Sequence, residues 1–488
     1  MYARIQPIVW VATFTGVLGC TSLAQLPESL LDARAPASAG RPWTPSPETR
    51  ERYTVPDADR APRSLPADAP SPSGGTYDLP TLVDFALAEN PTTRAAWEAA
   101  RASESGLGRA KAEDYPRVSL SANGGINNFP FPLPNETVEI RNRLVLPQAE
   151  VAYTLFDFGR RSATAEQAKQ QLIAANFAFN RNIQQVVFGV QQAFYALGAA
   201  RSSVEAAERN LELARTNREL AEQRLKVGLA TEPAVLLARQ LQAESEYELE
   251  SAKSTVETAR SDLATVVGVR ADVPLEVETL EHVPLPAALP DRVDELVDTA
   301  VSQRPDLAAK VASLRAHEAA LAKAKAALFP QLNFLGELGQ AFWSYEVSGF
   351  PRQNSSNNDY TALVIFKWDL FTGFERHYAI RQAQAEVEVS RAELRGAELG
   401  TIDAVWRSYY EFRSARERHR YAEALLKASE EAYAANLETY RGGLSTISDL
   451  LTSDRDLARA RYTLIRAKTE YLDAAAAVDY AVGATKTP

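Results

Sequence analysis

Tyr440-Arg441-Gly442-Gly443-Leu444-Ser445-Thr446-Ile447-Ser448-Asp449-Leu450-Leu451 decides the reading of this chain, because it is the second of two copies. Val227-Gly228-Leu229-Ala230-Thr231 stands 215 residues before Gly442-Gly443-Leu444-Ser445-Thr446. Three more pairs keep an offset of 214 or 215 residues. Leu155-Phe156 and Gly159 match Leu370-Phe371 and Gly373. Tyr115-Pro116-Arg117-Val118 matches Phe329-Pro330-Gln331-Leu332. Leu82-Val83-Asp84 with Pro91 matches Leu296-Val297-Asp298 with Pro305. A period this long marks domain-sized halves, not the short unit of a solenoid. Two similar halves therefore replace the three domains that 488 residues alone suggest.

Each copied turn joins two helices. Upstream of Val227 no proline occurs from Arg160 to Lys226, and apolar residues recur every seven positions. One series is Leu172, Phe179, Val186, Ala193, Ala200, Ala207, Ala214 and Ala221. The other is Ile183, Val190, Leu197, Val204 and Leu211. A sustained seven-residue repeat predicts coiled-coil packing along a helix ~100 Å long. The counterpart, Glu375 to Arg441, keeps Val405, Phe412, Leu426 and Tyr433 in one series, interrupted at His419. Shorter helices should return over about 234–267 and 447–482. Residues 81–114 are also predicted helical, with a break at Asn90-Pro91.

Between these helices the period changes to two. Val118, Leu120 and Ala122 alternate with Ser119, Ser121 and Asn123. Ala149, Val151, Tyr153 and Leu155 alternate with Gln148, Glu150 and Thr154. The second half repeats this with Leu332, Phe334 and Leu338, then with Tyr360, Ala362, Val364, Phe366, Trp368 and Leu370. Alternating segments of about ten residues with terminal aromatics are the signature of membrane-spanning strands; each hairpin taken alone fits better a soluble one with one wet face. The expected links are Phe129-Pro130-Phe131-Pro132-Leu133-Pro134-Asn135, read as a loop unable to pair, and a polar loop around Asn354-Ser355-Ser356-Asn357-Asn358.

Composition bounds the function. A net charge of −10 with interspersed signs excludes a general nucleic-acid binder. Four histidines without metal-ligand spacing, one cysteine and no glycine-rich phosphate loop exclude the common enzyme classes, so no catalytic and no metal site is expected. The cysteine is Cys20. It follows Arg4, an apolar run from Ile8, and Val17-Leu18-Gly19, the layout of a secretory signal peptide. Val-Leu-Gly-Cys also resembles the bacterial lipobox, whose cysteine is acylated; acyl chains there would form a membrane anchor. The expected organisation is a signal peptide over 1–19 and a lipid-anchored, proline-rich tether over 20–77. A first repeat over 78–273, a linker over 274–290, a second repeat over 291–483 and a tail over 484–488 follow.

Four strands cannot stand alone in lipid, because an open edge leaves backbone groups without partners. Three chains would supply twelve strands and twelve helices. The expected fold class is mainly α with a small transmembrane β part: a trimeric 12-stranded β-barrel on a long α-helical barrel, with two internal repeats per chain.

Helix, strand, strand and long helix, written twice around turns of the Val-Gly-Leu type, resemble the TolC-like outer-membrane efflux protein family over about residues 78–483. The lipobox resembles that of its lipoprotein branch. The resemblance implies a passive exit duct of a tripartite efflux pump in the outer membrane of a Gram-negative bacterium, projecting into the periplasm. It conducts small molecules from an inner-membrane transporter of the RND or ABC type through a periplasmic adaptor. The implied partners are a homotrimer, the adaptor, the transporter and outer-membrane lipid, with no cofactor beyond a lipid on Cys20. Adaptor docking falls on Val227, Gly228, Leu229 and Thr231 of one turn and Gly443, Leu444 and Ser445 of the other. The periplasmic aperture falls on Asp449, at the family's acidic ring, and on Tyr440, at a tyrosine of its closing network. Ser445, Thr452 and Ala234 depart from that network. Asp454 lies about 200° around the helix from Thr452 and cannot simply replace a second ring. A helix-start aspartate in solvent is the alternative for Asp449. For the whole chain the alternatives are the duct of a type I protein secretion system and a periplasmic coiled-coil scaffold.

Overall fold

Two halves of the same pattern are built by the doubled sequence, and the computed structural model describes residues 76–134, 137–286 and 292–484. The first half runs α1 (Leu79–Glu89), α2 (Pro91–Lys111), β1 (Arg117–Pro132), β2 (Thr137–Phe156), α3 (Arg160–Lys226) and α4 (Glu232–Val267). The second runs α5 (Val293–Gln303), α6 (Pro305–Ala326), β3 (Gln331–Val347), β4 (Gln353–Lys367), α7 (Glu375–Arg441) and α8 (Ile447–Val482). Both α3 and α7 have 67 residues, and both α4 and α8 have 36. The signal peptide, Cys20, the tether up to residue 75, Asn135 of the first expected loop, the end of the linker from 287 to 290 and the end of the tail lie outside the described residues.

The heptads become the packing seam. Val186, Ala193, Ala200, Ala207, Ala214 and Ala221 are all buried in α3, while Leu172 and Phe179 at its upper end are half-buried. Upper cores of the two halves are equivalent. Leu82, Val83, Val190, Leu197, Leu263 and Val267 fill the first; Ala300, Val405, Tyr409, Phe412, Val478 and Val482 fill the second. The inter-repeat segment packs into the first core through Leu275 and Val277, and Tyr77 bonds to it through Glu276. A third core lies lower and joins the halves: Ala214 and Ala221 of α3, Val235 and Leu241 of α4, Tyr433 and Tyr440 of α7, and Leu450 and Leu457 of α8.

His419 does not interrupt the second seam. It is buried between the heptad positions of Phe412 and Leu426, and its ring lies 5.9 Å from that of Tyr471. Burial pushes its pKa below the ordinary value, against the pull of Glu423. A neutral imidazole can therefore take a seam position that a charged one could not.

The strands form one antiparallel sheet in the order β1-β2-β3-β4. Two expected loops are corrected. Phe129 to Pro132 belong to β1 and pair with Ile140 to Thr137. Proline is tolerated on an edge strand, and Pro130 and Pro132 alternate with Phe129 and Phe131, whose amides remain free to bond. Asn354 to Asn358 belong to β4, opposite Ser344 to Gln340, and the chain reverses at 348–352 instead. Ladder bonds are main-chain bonds, so a polar run extends a strand as readily as an apolar one. Trp368 and Leu370, read as strand, lie beyond its end at Lys367.

The register gives the sheet two unlike faces. Leu120, Ala149, Leu338 and Tyr360 form one row across all four strands, and Leu338 and Tyr360 are largely exposed. The adjacent row on the other face is Ser119, Glu150, Glu337 and Thr361. Two glutamates directly opposite repel unless water screens them, so this face is the wet one. Neither β1 nor β4 has a partner on its outer edge among the described residues. No described helix is long and apolar enough to cross a membrane.

Candidate functional site

Two tips are made by one backbone device. At the end of α3 the Leu229 amide bonds to the Arg224 carbonyl at 2.8 Å, and the Gly228 amide to Leu225 at 3.0 Å. At the end of α7 the Leu444 amide bonds to Thr439 at 2.9 Å, and the Gly443 amide to Tyr440 at 3.0 Å. This double bond pattern is the Schellman motif, which requires a left-handed residue. Gly228 and Gly443 supply it, with φ of 74° and 77°. Conformation, not space, selects glycine at Gly228, because an added Cβ would meet nothing within 4 Å.

The motif usually folds its next apolar residue back onto the helix. Here that residue is left in water: Leu229 is 68% exposed and Leu444 85%, with Val227 beside them at 68%. Thr231 precedes α4 without a side-chain cap, whereas Thr446 caps α8. Ser445 is half-buried and accepts from the Thr439 hydroxyl at 3.1 Å.

Arg224 ties the tips together. Its guanidinium lies over the Tyr440 ring, 4.6 Å from the centroid. It donates to the Tyr440 carbonyl, and at 3.3 Å to that of Arg441. A cation at the C-terminal carbonyls of α7 also meets the negative end of that helix dipole. Tyr440 is thus buried under Arg224, and burial raises its phenol pKa. Sequence reading picked Tyr440 but missed Arg224. The only signal was a basic residue in the last turn of α3.

Asp449 closes a capping box with Thr446. Its carboxylate accepts from the Thr446 hydroxyl at 2.6 Å and from the Thr446 amide at 3.0 Å. These bonds, the hydroxyl's first, hold it below the usual carboxylate range, so it is charged at neutral pH. Asp449 also lines a polar groove between α7 and α8 with Ser429, Asn436, Thr452 and Asp456. Capping and an anionic mouth are compatible, since one charge serves both. Ala234 is buried in the lower core. Asp454 points away from that groove into the junction of α3 with α8, where it bonds Asn217.

The model for outer membrane efflux proteins matches residues 82–269 and 296–484, one stretch in each half. Protein CyaE of Bordetella pertussis is 31% identical over 355 residues, 72% of either chain. Outer membrane protein OprJ of Pseudomonas aeruginosa is 24% identical over 72% of this chain and 71% of its own. Among solved structures, the outer-membrane channel OprN superposes with a TM-score of 0.72 at 22% identity, over 89% of this chain and 99% of that one.

Proposed function

The chain belongs to the outer membrane efflux protein family, and from that premise we propose that it is the lipid-anchored, passive exit duct of a tripartite pump for small molecules. Its family forms trimeric outer-membrane channels that work with adaptors and inner-membrane pumps. The observation that carries the duct is the sheet with unlike faces. Its Glu150–Glu337 row needs water, while the Leu120–Tyr360 row is exposed and apolar. Closed with two further copies, such a sheet encloses a wet lumen within a lipid-facing wall. α3 and α7, each ~100 Å long, extend that lumen away from the membrane. No bond is made or broken by the channel; the energy comes from an RND or ABC-type transporter. Acylation of Cys20 would add an anchor to the barrel.

The tips dock the adaptor. Leu229 and Leu444 sit at equivalent turns, each exposed and without a core of its own. Six such turns in a trimer offer six apolar knobs. Leu444→Cys, cross-linked in intact cells and analysed by mass spectrometry, should capture the adaptor of a drug or metal efflux pump. An adaptor of a secretion system would move the cargo to protein. Capture of no adaptor by an intact trimer would sink the docking claim.

Asp449 sets the charge of the mouth. Asp449→Asn keeps an oxygen for Thr446 and removes three charges from the trimer. Single-channel recordings should show reduced cation preference with the channel intact. Unchanged preference would leave Asp449 with its capping role alone.

A further inference from the structure

The α3–α4 hairpin meets the α7–α8 hairpin along α3 and α8, and a carboxyl group lies inside that junction. Asp454 of α8 is 3% exposed. Its Oδ2 accepts from Asn217 Nδ2 of α3 at 2.7 Å, and Asn217 Oδ1 accepts from the Tyr433 hydroxyl of α7 at 3.2 Å. Asn217 itself is fully buried. One carboxyl thus links three helices from both hairpins, within the lower core of Ala214, Leu450 and Leu457.

The charges around it are engaged elsewhere. On α8, Arg455 faces Glu244 of α4 at 3.6 Å. Arg461, two turns further on, donates to Asn210 of α3 at 2.6 Å and lies near Glu430 of α7 and Arg209 of α3. No described cation forms an ion pair with Asp454. A buried carboxylate with one neutral donor and no counter-ion is costly when ionised. Burial pushes Asp454 up to about 6, although Asn217, Arg461 and Arg455 pull it down.

We propose that Asp454 is a proton-operated latch between the two hairpins, holding α8 against α3 when protonated and loosening that junction when ionised. The latch rests on the duct reading, because it acts near the tips through which cargo enters. The sign follows from linkage. With the hairpins parted the carboxyl is hydrated and returns towards 3.8; with them joined it titrates near 6. The joined state therefore holds the proton more tightly. It is favoured as pH falls through 6, and it loses that advantage above 6. The two values correspond to a change of up to roughly a hundredfold in the ratio of joined to parted hairpins.

One other carboxyl on α8 needs separating from it. Asp473 lies beside Tyr195 and Glu470 and is also pushed up to about 6 by burial. It stands ~28 Å along the helix from Asp454, away from the tips.

The test uses full-length trimers in planar bilayers between pH 5 and 8. Wild-type conductance should fall by up to about tenfold as pH drops from 8 to 5. Asp473→Asn should keep that transition, and Asp454→Asn should stay in the low state throughout. A flat wild-type profile, a transition surviving in Asp454→Asn, or one lost only in Asp473→Asn would overturn the latch. A second readout needs neither conductance nor folding of the Asp454 variant. Ala214→Cys places a thiol in the junction, where Ala214 is 1% exposed. Its labelling relative to Leu444→Cys should be up to about fourfold faster at pH 7.5 than at pH 5.5. Equal relative labelling would refute the latch. Channels silent at every pH would refute the duct instead, with labelling still deciding the latch.

Discussion

Leu338→Arg should leave no heat-modifiable trimer in the outer-membrane fraction, whereas Thr361→Arg should assemble normally. The two positions are neighbours in space but lie on opposite faces of the sheet. Leu338 stands in the alternating stretch of β3 from Leu332 to Phe342, opposite Ala149 and Tyr360, and is 65% exposed. In a lone chain that exposure has no cover; in a barrel the cover is lipid. An arginine near the bilayer midplane costs roughly 2–4 kcal/mol per strand, and a trimer carries three. Domain stabilities are only about 5–15 kcal/mol, so the combined cost should prevent assembly. Thr361 stands opposite Glu337 and faces the wet side, so an arginine there gains a carboxylate partner. Unboiled gels of the membrane fraction distinguish the two. Equal assembly of both variants would show that the Leu338 face meets no lipid.

The contrast between strand and helix explains how much could be read in advance. The long helices were legible to the residue, because their proline-free runs, carrying seven-residue apolar repeats, end only where the chain turns. The lower halves of the strands were legible for a similar reason: lipid on one side and water on the other impose alternation. Above the apolar band no such division holds. Phe129 to Pro132 and Asn354 to Asn358 were therefore read as loops although they pair. His419 failed for a different reason, since hydropathy scores an imidazole as polar even where burial keeps it neutral. At the tips the glycines were visible, because a Schellman turn demands a left-handed residue, and the leucines stand directly after them. Arg224, Asn217 and Asp454 were not singled out for the roles they take, because their partners lie on other helices, 216 or more residues away in sequence.

The two halves are not equivalent under substitution, and Gly268→Ala should expose the difference. Both return helices end in a left-handed glycine packed against the break between the two upstream helices. Gly268 (φ 94°) follows α4 beside Asn90, and Gly483 (φ 80°) follows α8 beside Arg304. In each half the residue before the helix-starting proline also caps the returning helix. Asn90 Nδ2 bonds the Val266 carbonyl at 2.6 Å, and Arg304 Nη1 bonds the Ala481 carbonyl at 3.0 Å. Any side chain at either glycine incurs left-handed strain of roughly 1–2 kcal/mol. At Gly268 a Cβ would also stand 2.8 Å from the Glu89 carbonyl oxygen and 2.9 Å from Asn90 Cα, both backbone atoms. Relief requires shifting α1 against a core in which Leu82, Leu263 and Val267 are all fully buried, and overpacking of that kind adds roughly 1–3 kcal/mol. At Gly483 the nearest atoms are Arg304 Cγ at 3.0 Å and Arg304 Cα at 3.3 Å, a looser approach than the backbone atoms make at Gly268. Denaturant unfolding of the trimer should therefore show Gly268→Ala losing about 2–5 kcal/mol and Gly483→Ala about 1–2. Equal losses would mean that the backbone of α1 yields as easily as the looser contact at Arg304, and that Asn90 does not hold α4 to the kink.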